Sequence, residues 1–220
     1  MKRAILFDLD GTLTDPKPGI TGSILYAMHE LGYALPNADD LHWCIGPPLT
    51  KVFERLLKSS DCVLLNEAIA SYRERFSIVG LFENTLYPQI PDALQKLRSS
   101  GYRTFVATSK PRVYAVRIIE HFSLVNLFDE IYGSELDGTR GNKSELIAHI
   151  LASEELSPVQ TVMVGDREHD VIGAKKCGVP CIGVTYGYGT ASELISNGAK
   201  LVANSPQEIP GLVEMHFNSA

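Results

Sequence analysis

From residue 91 onward, short apolar runs alternate with amphipathic stretches, and this alternation limits the fold more than any other feature of the chain. Strand character falls at 103–107, 128–132, 161–164, 180–184 and 201–202. Helical character falls between them, at 91–100, 112–122, 142–151, 168–177, 191–197 and 206–215. Strands and helices alternating at this spacing predict parallel strands joined by right-handed crossovers. The expected fold class is therefore α/β, a doubly wound, mostly parallel sheet. One more strand opens the chain, where Ala4-Ile5-Leu6-Phe7 reads as a segment buried on both faces.

Between that first strand and the next lies a stretch of different character. Ile20, Ile24, Leu25, Met28 and Leu31 recur at the helical period, and Gly32 closes the segment. A further segment runs from Asn37 to Gly46-Pro47-Pro48, followed by helical patterns at 49–57 and 61–82, with Asp61 placed to cap the last. No strand pattern interrupts them. Residues 16–83 are thus expected to form a small all-helical domain, inserted into a core domain made of 1–15 and 84–220. The stretches Asp15-Pro16-Lys17-Pro18-Gly19 and Glu83-Asn84-Thr85-Leu86-Tyr87-Pro88 read as the linkers.

Composition removes several classes of function. The chain has 220 residues, 45% hydrophobic and 21% charged, which suits an ordinary globular protein. Its net charge is −6 and no basic stripe is present, so nucleic acid is not an expected partner. No apolar run reaches transmembrane length and no signal peptide is legible, so no membrane partner and a cytoplasmic location are expected. Cys177 and Cys181 are spaced CxxxC with no suitable histidine pair, and the cysteines read as buried free thiols, not zinc ligands.

In a parallel sheet all strands deliver their carboxyl ends to one edge, where open α/β folds place ligands. The first strand brings Asp8 and Asp10 there. The strand at 103–107 brings Thr108 and Ser109, and the strand at 161–164 brings Asp166, with Asp170 close behind. Lys143 begins a helix that follows a strand, so it reaches the same edge. Two ionised carboxylates ~4 Å apart repel by about 4 kcal/mol at an effective dielectric of ~20. A hard divalent cation such as Mg²⁺ relieves this. Carboxylates, a hydroxyl and a lysine around one point suit a metal-assisted phosphate site. Read singly, each residue has a plainer role: Thr108 a helix cap, Lys143 a solvated first-turn lysine, Asp170 a helix surface residue, and Lys110 and Arg140 solvated cations.

In their order, Asp8-Leu9-Asp10-Gly11-Thr12, then Thr108-Ser109, then Lys143, then Gly165-Asp166-Arg167-Glu168-His169-Asp170 resemble the four motifs of the haloacid dehalogenase superfamily. The inserted helices resemble that family's type-one cap, and the layout is most similar to its phosphoglycolate phosphatase branch, which includes 5′-nucleotidases. The resemblance implies a phosphoric monoester hydrolase. Asp8 would be the nucleophile and Asp10 the acid and base. Mg²⁺ would be held by Asp8, the Asp10 carbonyl and Asp166, with Asp170 orienting Lys143 or a metal-bound water. Lys143 and Thr108, with Ser109 beside it, would hold the phosphoryl oxygens.

Asp10 also narrows the reaction, since the family's pumps and dehalogenases lack an acid there. The expected substrate is a small-molecule phosphate monoester, 2-phosphoglycolate first. A nucleoside 5′-monophosphate is the alternative, with a sugar phosphomutase behind it and a non-catalytic phosphate-binding protein disfavoured by the intact motifs. In the insertion, Ile45-Gly46-Pro47-Pro48-Leu49-Thr50-Lys51 is the candidate specificity loop, with Lys51 placed to meet an anionic tail. A cap on two linkers would close and exclude water. A monomer or homodimer is expected. The glycine-rich 183–189 lacks dinucleotide spacing and reads as no cofactor site.

Overall fold

A computed structural model describes residues 3–218. The chain divides into two compact units. One runs to Asp15 and resumes at Leu86, and the other is Pro16–Thr85.

The first unit is built on a six-stranded sheet. Its strands are β1 (Ala4–Phe7), β4 (Arg103–Pro111), β5 (Glu130–Ser134), β6 (Thr161–Gly165), β7 (Cys181–Val184) and β8 (Leu201–Ala203), in the order β5-β4-β1-β6-β7-β8. Every neighbouring pair is parallel. β1 is central, with Phe7 opposite Val106 on one side and Val164 on the other. The strand order reverses there, between β4 and β6, so the switch point lies at the carboxyl end of β1. Short strands β2 (Thr14–Asp15) and β3 (Thr85–Leu86) mark the two places where the chain passes between units.

Side chains alternate across β1, so Ala4 and Leu6 share one face. They join Phe105, Ala107 and Met163 in a core completed by helices α6 (Lys143–Ser153) and α7 (Glu168–Lys176), through Leu146, Ile147, Ile150, Val171 and Ala174. Burying side chains of this size contributes about 1.5–3 kcal/mol each. The remaining helices of this unit are α4 (Ile90–Ser99), α5 (Arg112–His121), α8 (Ala191–Asn197) and α9 (Ile209–Asn218).

The second unit contains α1 (Lys17–Glu30), a 3-10 segment (Ala38–Cys44), α2 (Leu49–Leu57) and α3 (Cys62–Arg75), with no strand inside it before Thr85. Phe53, Tyr72 and Phe76 form its aromatic centre, with ring centroids 6.3 and 5.2 Å apart. Asp61 caps α3 by accepting the Val63 N–H at 2.9 Å. Arg75 donates to both oxygens of Glu83, at 2.8 and 2.9 Å, and to Ser23 Oγ at 3.2 Å.

Several sequence expectations need correction. The Pro16-Lys17-Pro18 stretch is not all linker, because α1 begins at Lys17 with proline in its first turn, where no N–H is missed. The helix expected over 61–82 ends at Arg75 and continues as a π-helical turn, Phe76–Gly80. β4 runs four residues beyond Ala107, with a register shift between Ala107 and Pro111, and β5 lies two residues later than expected. The cysteines are free but not all buried, since Cys62 is exposed and Cys177 half-buried. No helix among the described residues is long and apolar enough to cross a membrane.

Candidate active site

The ladder of β1 continues one residue past the strand, as Asp8 N–H donates to the Val164 carbonyl at 2.9 Å. The chain then folds into a tight turn. The N–H groups of Thr12, Leu13 and Thr14 converge on the Leu9 carbonyl, and Gly11 N–H donates to the Thr14 carbonyl at 2.7 Å. Gly11 turns this corner with φ at +84°, and a Cβ there would lie 2.1 Å from Asp166 Oδ2. Glycine is required twice over, by the left-handed backbone and by the close approach.

Asp8, Asp166 and Asp170 offer carboxylate oxygens that all lie within 4.8 Å of one another, and all three residues are buried. Lys143 sits among them. Its Nζ is 2.8 Å from Asp8 Oδ1 and 2.8 Å from Asp170 Oδ1, and it donates to the Ala107 carbonyl at 2.9 Å. Burial acts to discharge this ammonium, but the Asp170 and Asp8 carboxylates outweigh it and hold the group above the ordinary lysine value. Lys143 is therefore a charged, buried ligand and not the solvated lysine of its plainer reading. Asp170 Oδ2 accepts the Arg167 N–H at 3.1 Å, which ties this carboxylate to the start of α7 and leaves it turned to Lys143.

Asp166 shows how well a metal fits. Its Oδ2 accepts the Tyr188 N–H at 2.8 Å, while its Oδ1 is buried with no hydrogen-bond partner among the described residues. Burial, followed by the charges of Asp170 and Asp8, pushes its carboxyl well above the ordinary value. A divalent cation reverses that balance, since its charge favours the ionised carboxylate and hard oxygens are the ligands it takes. The donor set fits Mg²⁺.

Asp10 stands apart from this trio. Its Oδ2 lies 2.9 Å from Lys110 Nζ, in a pair that is 14% and 6% exposed. Burial raises the Asp10 carboxyl above its ordinary value against the pull of Lys110. The reading of Lys110 as a solvated cation is overturned: the extension of β4 carries it inward. Thr108 is no helix cap either. It is buried in β4 and its hydroxyl accepts the Lys110 N–H at 3.2 Å, while α5 begins after Pro111 with no side-chain cap. The Ser109 carbonyl accepts Ser134 Oγ at 2.9 Å. Arg140 pairs with Glu135. Lys51 belongs to the other unit, in the first turn of α2, where its Nζ meets Glu54 Oε2 at 2.7 Å.

The loop after β7 supplies residues that sequence reasoning missed. A Cβ on Gly187 would lie 2.1 Å from the Gly11 carbonyl and 2.6 Å from Asp166 Cβ. Tyr186 hydroxyl donates to the Thr12 carbonyl at 2.9 Å, and Tyr188 hydroxyl donates to Asp15. Tyr87 packs edge-on against Tyr186, ring centroids 5.0 Å apart. The clue was present in Gly187-Tyr188-Gly189, since small residues spaced around an aromatic mark a close backbone approach.

Comparison with known proteins matches residues 5–184 to the family described as haloacid dehalogenase-like hydrolase. A 5′-nucleotidase of Pseudomonas aeruginosa is 50% identical over 86% of this chain and 86% of its own. A crystal structure of a predicted phosphatase from Clostridium acetobutylicum is 39% identical, with a TM-score of 0.92, covering 98% of this chain and 100% of that one. The structure of Protein Tyrosine Kinase A from Mycobacterium tuberculosis is 36% identical, with a TM-score of 0.82, covering 96% and 98%. A phosphoglycolate phosphatase of Colwellia psychrerythraea is 26% identical over 90% of each chain.

Proposed function

The chain belongs to the haloacid dehalogenase-like hydrolases, and on that premise we propose that it hydrolyses small phosphate monoesters through a phosphorylated Asp8, with Mg²⁺ as cofactor. The observation that carries this reading is the buried convergence of Asp8, Asp166 and Asp170 around Lys143.

In this reading Asp8 attacks phosphorus and the ester oxygen departs with a proton from Asp10. The raised carboxyl of Asp10 suits a group that must hold a proton before giving it up. Asp10 then accepts a proton from the water that attacks the aspartyl-phosphate, which returns Asp8 and Asp10 to their first states and releases phosphate. Asp8, Asp166 and the Asp10 carbonyl would hold Mg²⁺, with Asp170 in support. The ion supplies charge neutralisation between an anionic nucleophile and an anionic ester. Lys143 is a fixed positive charge for the phosphoryl oxygens, and its bond to the Ala107 carbonyl keeps it in place. The Thr108 hydroxyl, at the end of β4's regular register, adds a donor, with Ser109 next to it.

The relative at 50% identity favours a nucleoside 5′-monophosphate as substrate, and the phosphoglycolate phosphatases at 26% support 2-phosphoglycolate as the second reading. Lys51, 69% exposed and paired with Glu54, is the residue whose substitution probes the second case. The test is Mg²⁺-dependent phosphate release from nucleoside 5′-monophosphates, 2-phosphoglycolate, sugar phosphates and pyrophosphate, read as kcat/KM. Dominance of one nucleotide supports the first reading. Dominance of 2-phosphoglycolate with loss in Lys51→Ala supports the second. Transfer from ATP to a tyrosine copolymer, with no ester hydrolysed, would overturn both.

A further inference from the structure

We infer that Lys110 is a positioning residue for Asp10, fixing one carboxylate oxygen so that the other alone carries the proton exchanged with the leaving group and with water. The inference rests on the acid–base reading of Asp10.

The two oxygens of Asp10 are unequal. Oδ2 lies 2.9 Å from Lys110 Nζ. Oδ1 is buried with no hydrogen-bond partner among the described residues. An ammonium donates protons and accepts none, so the oxygen it holds is the poorer place for a proton. Oδ1 is then the working atom, and its direction is set because the carboxylate is pinned at the opposite oxygen. Proton transfer depends on such placement to within a hydrogen-bond length.

The fold goes out of its way to bring Lys110 inward. The register of β4 shifts between Ala107 and Pro111. The Thr108 hydroxyl accepts the Lys110 N–H, and a Cβ on the facing Gly133 would lie 2.5 Å from the Lys110 carbonyl. An irregular strand end, a side-chain brace and a glycine that yields space all serve one lysine. A bulge of this kind commonly re-aims a side chain beside a site.

The test separates acid catalysis from phosphate binding by the leaving group. A nitrophenolate departs without a proton, whereas an alkoxide needs one. Single-turnover release of leaving group is measured from p-nitrophenyl phosphate and from an alkyl ester, either a nucleoside 5′-monophosphate or 2-phosphoglycolate, whichever the wild type turns over faster. Lys110→Met is expected to slow the alkyl ester by about 10²-fold and p-nitrophenyl phosphate by less than about tenfold, within the range of general acid catalysis. Lys110→Arg is expected to restore most of the difference. Should Lys110→Met not fold, Lys110→Gln, which keeps a donor without the charge, is expected to show the same selectivity in weaker form. Equal slowing of both esters, or none, would overturn the inference. Asp10→Asn is the control: selective loss there with none in the Lys110 variants defeats the role of Lys110 alone. No selectivity in Asp10→Asn defeats the acid reading beneath it.

Discussion

Tyr188 holds Asp166 by its backbone and not by its ring: the Tyr188 N–H donates to Asp166 Oδ2 at 2.8 Å, and Asp166 Oδ1 is left without a partner among the described residues. A buried acceptor left unsatisfied costs about 1–3 kcal/mol. A cation at Oδ1 removes that cost, so binding and folding are linked. Mg²⁺ at about 100 times its dissociation constant should stabilise the protein by about 2.7 kcal/mol. Thermal melts should show a rise of several degrees in Tm for the wild type and none for Asp166→Asn.

The size of that rise should depend on pH. Burial raises the Asp166 and Asp170 carboxyls above 3.8, so without metal the folded state holds protons that the unfolded state has lost. Their contribution to stability is present below that value and falls away as pH climbs through the raised values. Mg²⁺ displaces those protons, so its stabilising increment should grow with pH. Melts with and without Mg²⁺ between about pH 5 and pH 8 check the sign. An increment that shrinks as pH rises would contradict it.

The manner in which Tyr188 acts gives a paired prediction. Gly187→Ala would place a Cβ 2.1 Å from the Gly11 carbonyl and 2.6 Å from Asp166, which forces the loop off the site. It should weaken Mg²⁺ activation by at least tenfold. Tyr188→Phe loses only the hydroxyl contact to Asp15 and keeps the N–H that Asp166 uses. Its Mg²⁺ dependence should stay within about threefold of wild type. Titration of activity against Mg²⁺ separates the two.

On the proposed mechanism Lys143 serves both stability and rate. Lys143→Met leaves Asp8 and Asp170 buried without their shared cation, a change that costs about 3–5 kcal/mol. It also removes a fixed charge for the phosphoryl group, worth about 10²–10³ in kcat. The stability loss should be smaller with Mg²⁺ bound, whereas the rate loss should persist. Urea melts and kcat at saturating Mg²⁺ measure the two effects separately.

These residues differ in how plainly the sequence announced them. Asp8 and Asp166 were legible because an apolar strand that ends abruptly in a carboxylate has one natural place for it, the sheet's carboxyl edge. The inner strands β1, β4, β6 and β7 were legible for the same reason, since buried parallel strands read as short apolar runs, whereas β5 and β8 are half-buried edge strands with a weaker pattern. Lys110 was not. Thr108-Ser109-Lys110-Pro111 has the composition of a turn, and only pairing with β5 keeps it extended, an interaction invisible to local pattern. The 183–189 loop lacks a dinucleotide spacing, yet its glycines answer to the backbone of Gly11 and the side chain of Asp166, far away in sequence. The end of α3 carries no stop signal, because Phe76, Ile78 and Val79 continue the apolar composition past Arg75, although Ile78 and Val79 are exposed in the π-helical turn.

Every other role proposed in the site depends on phosphorylation of Asp8. Rapid-quench of a single turnover into borohydride, with peptide mass mapping, tests it directly, since an aspartyl-phosphate is reduced to homoserine. Homoserine is expected at position 8 alone, formed and lost at rates that match ester cleavage and phosphate release, and absent from Asp8→Asn. Full-speed phosphate release with no homoserine at position 8, or with turnover retained in Asp8→Asn, would contradict it.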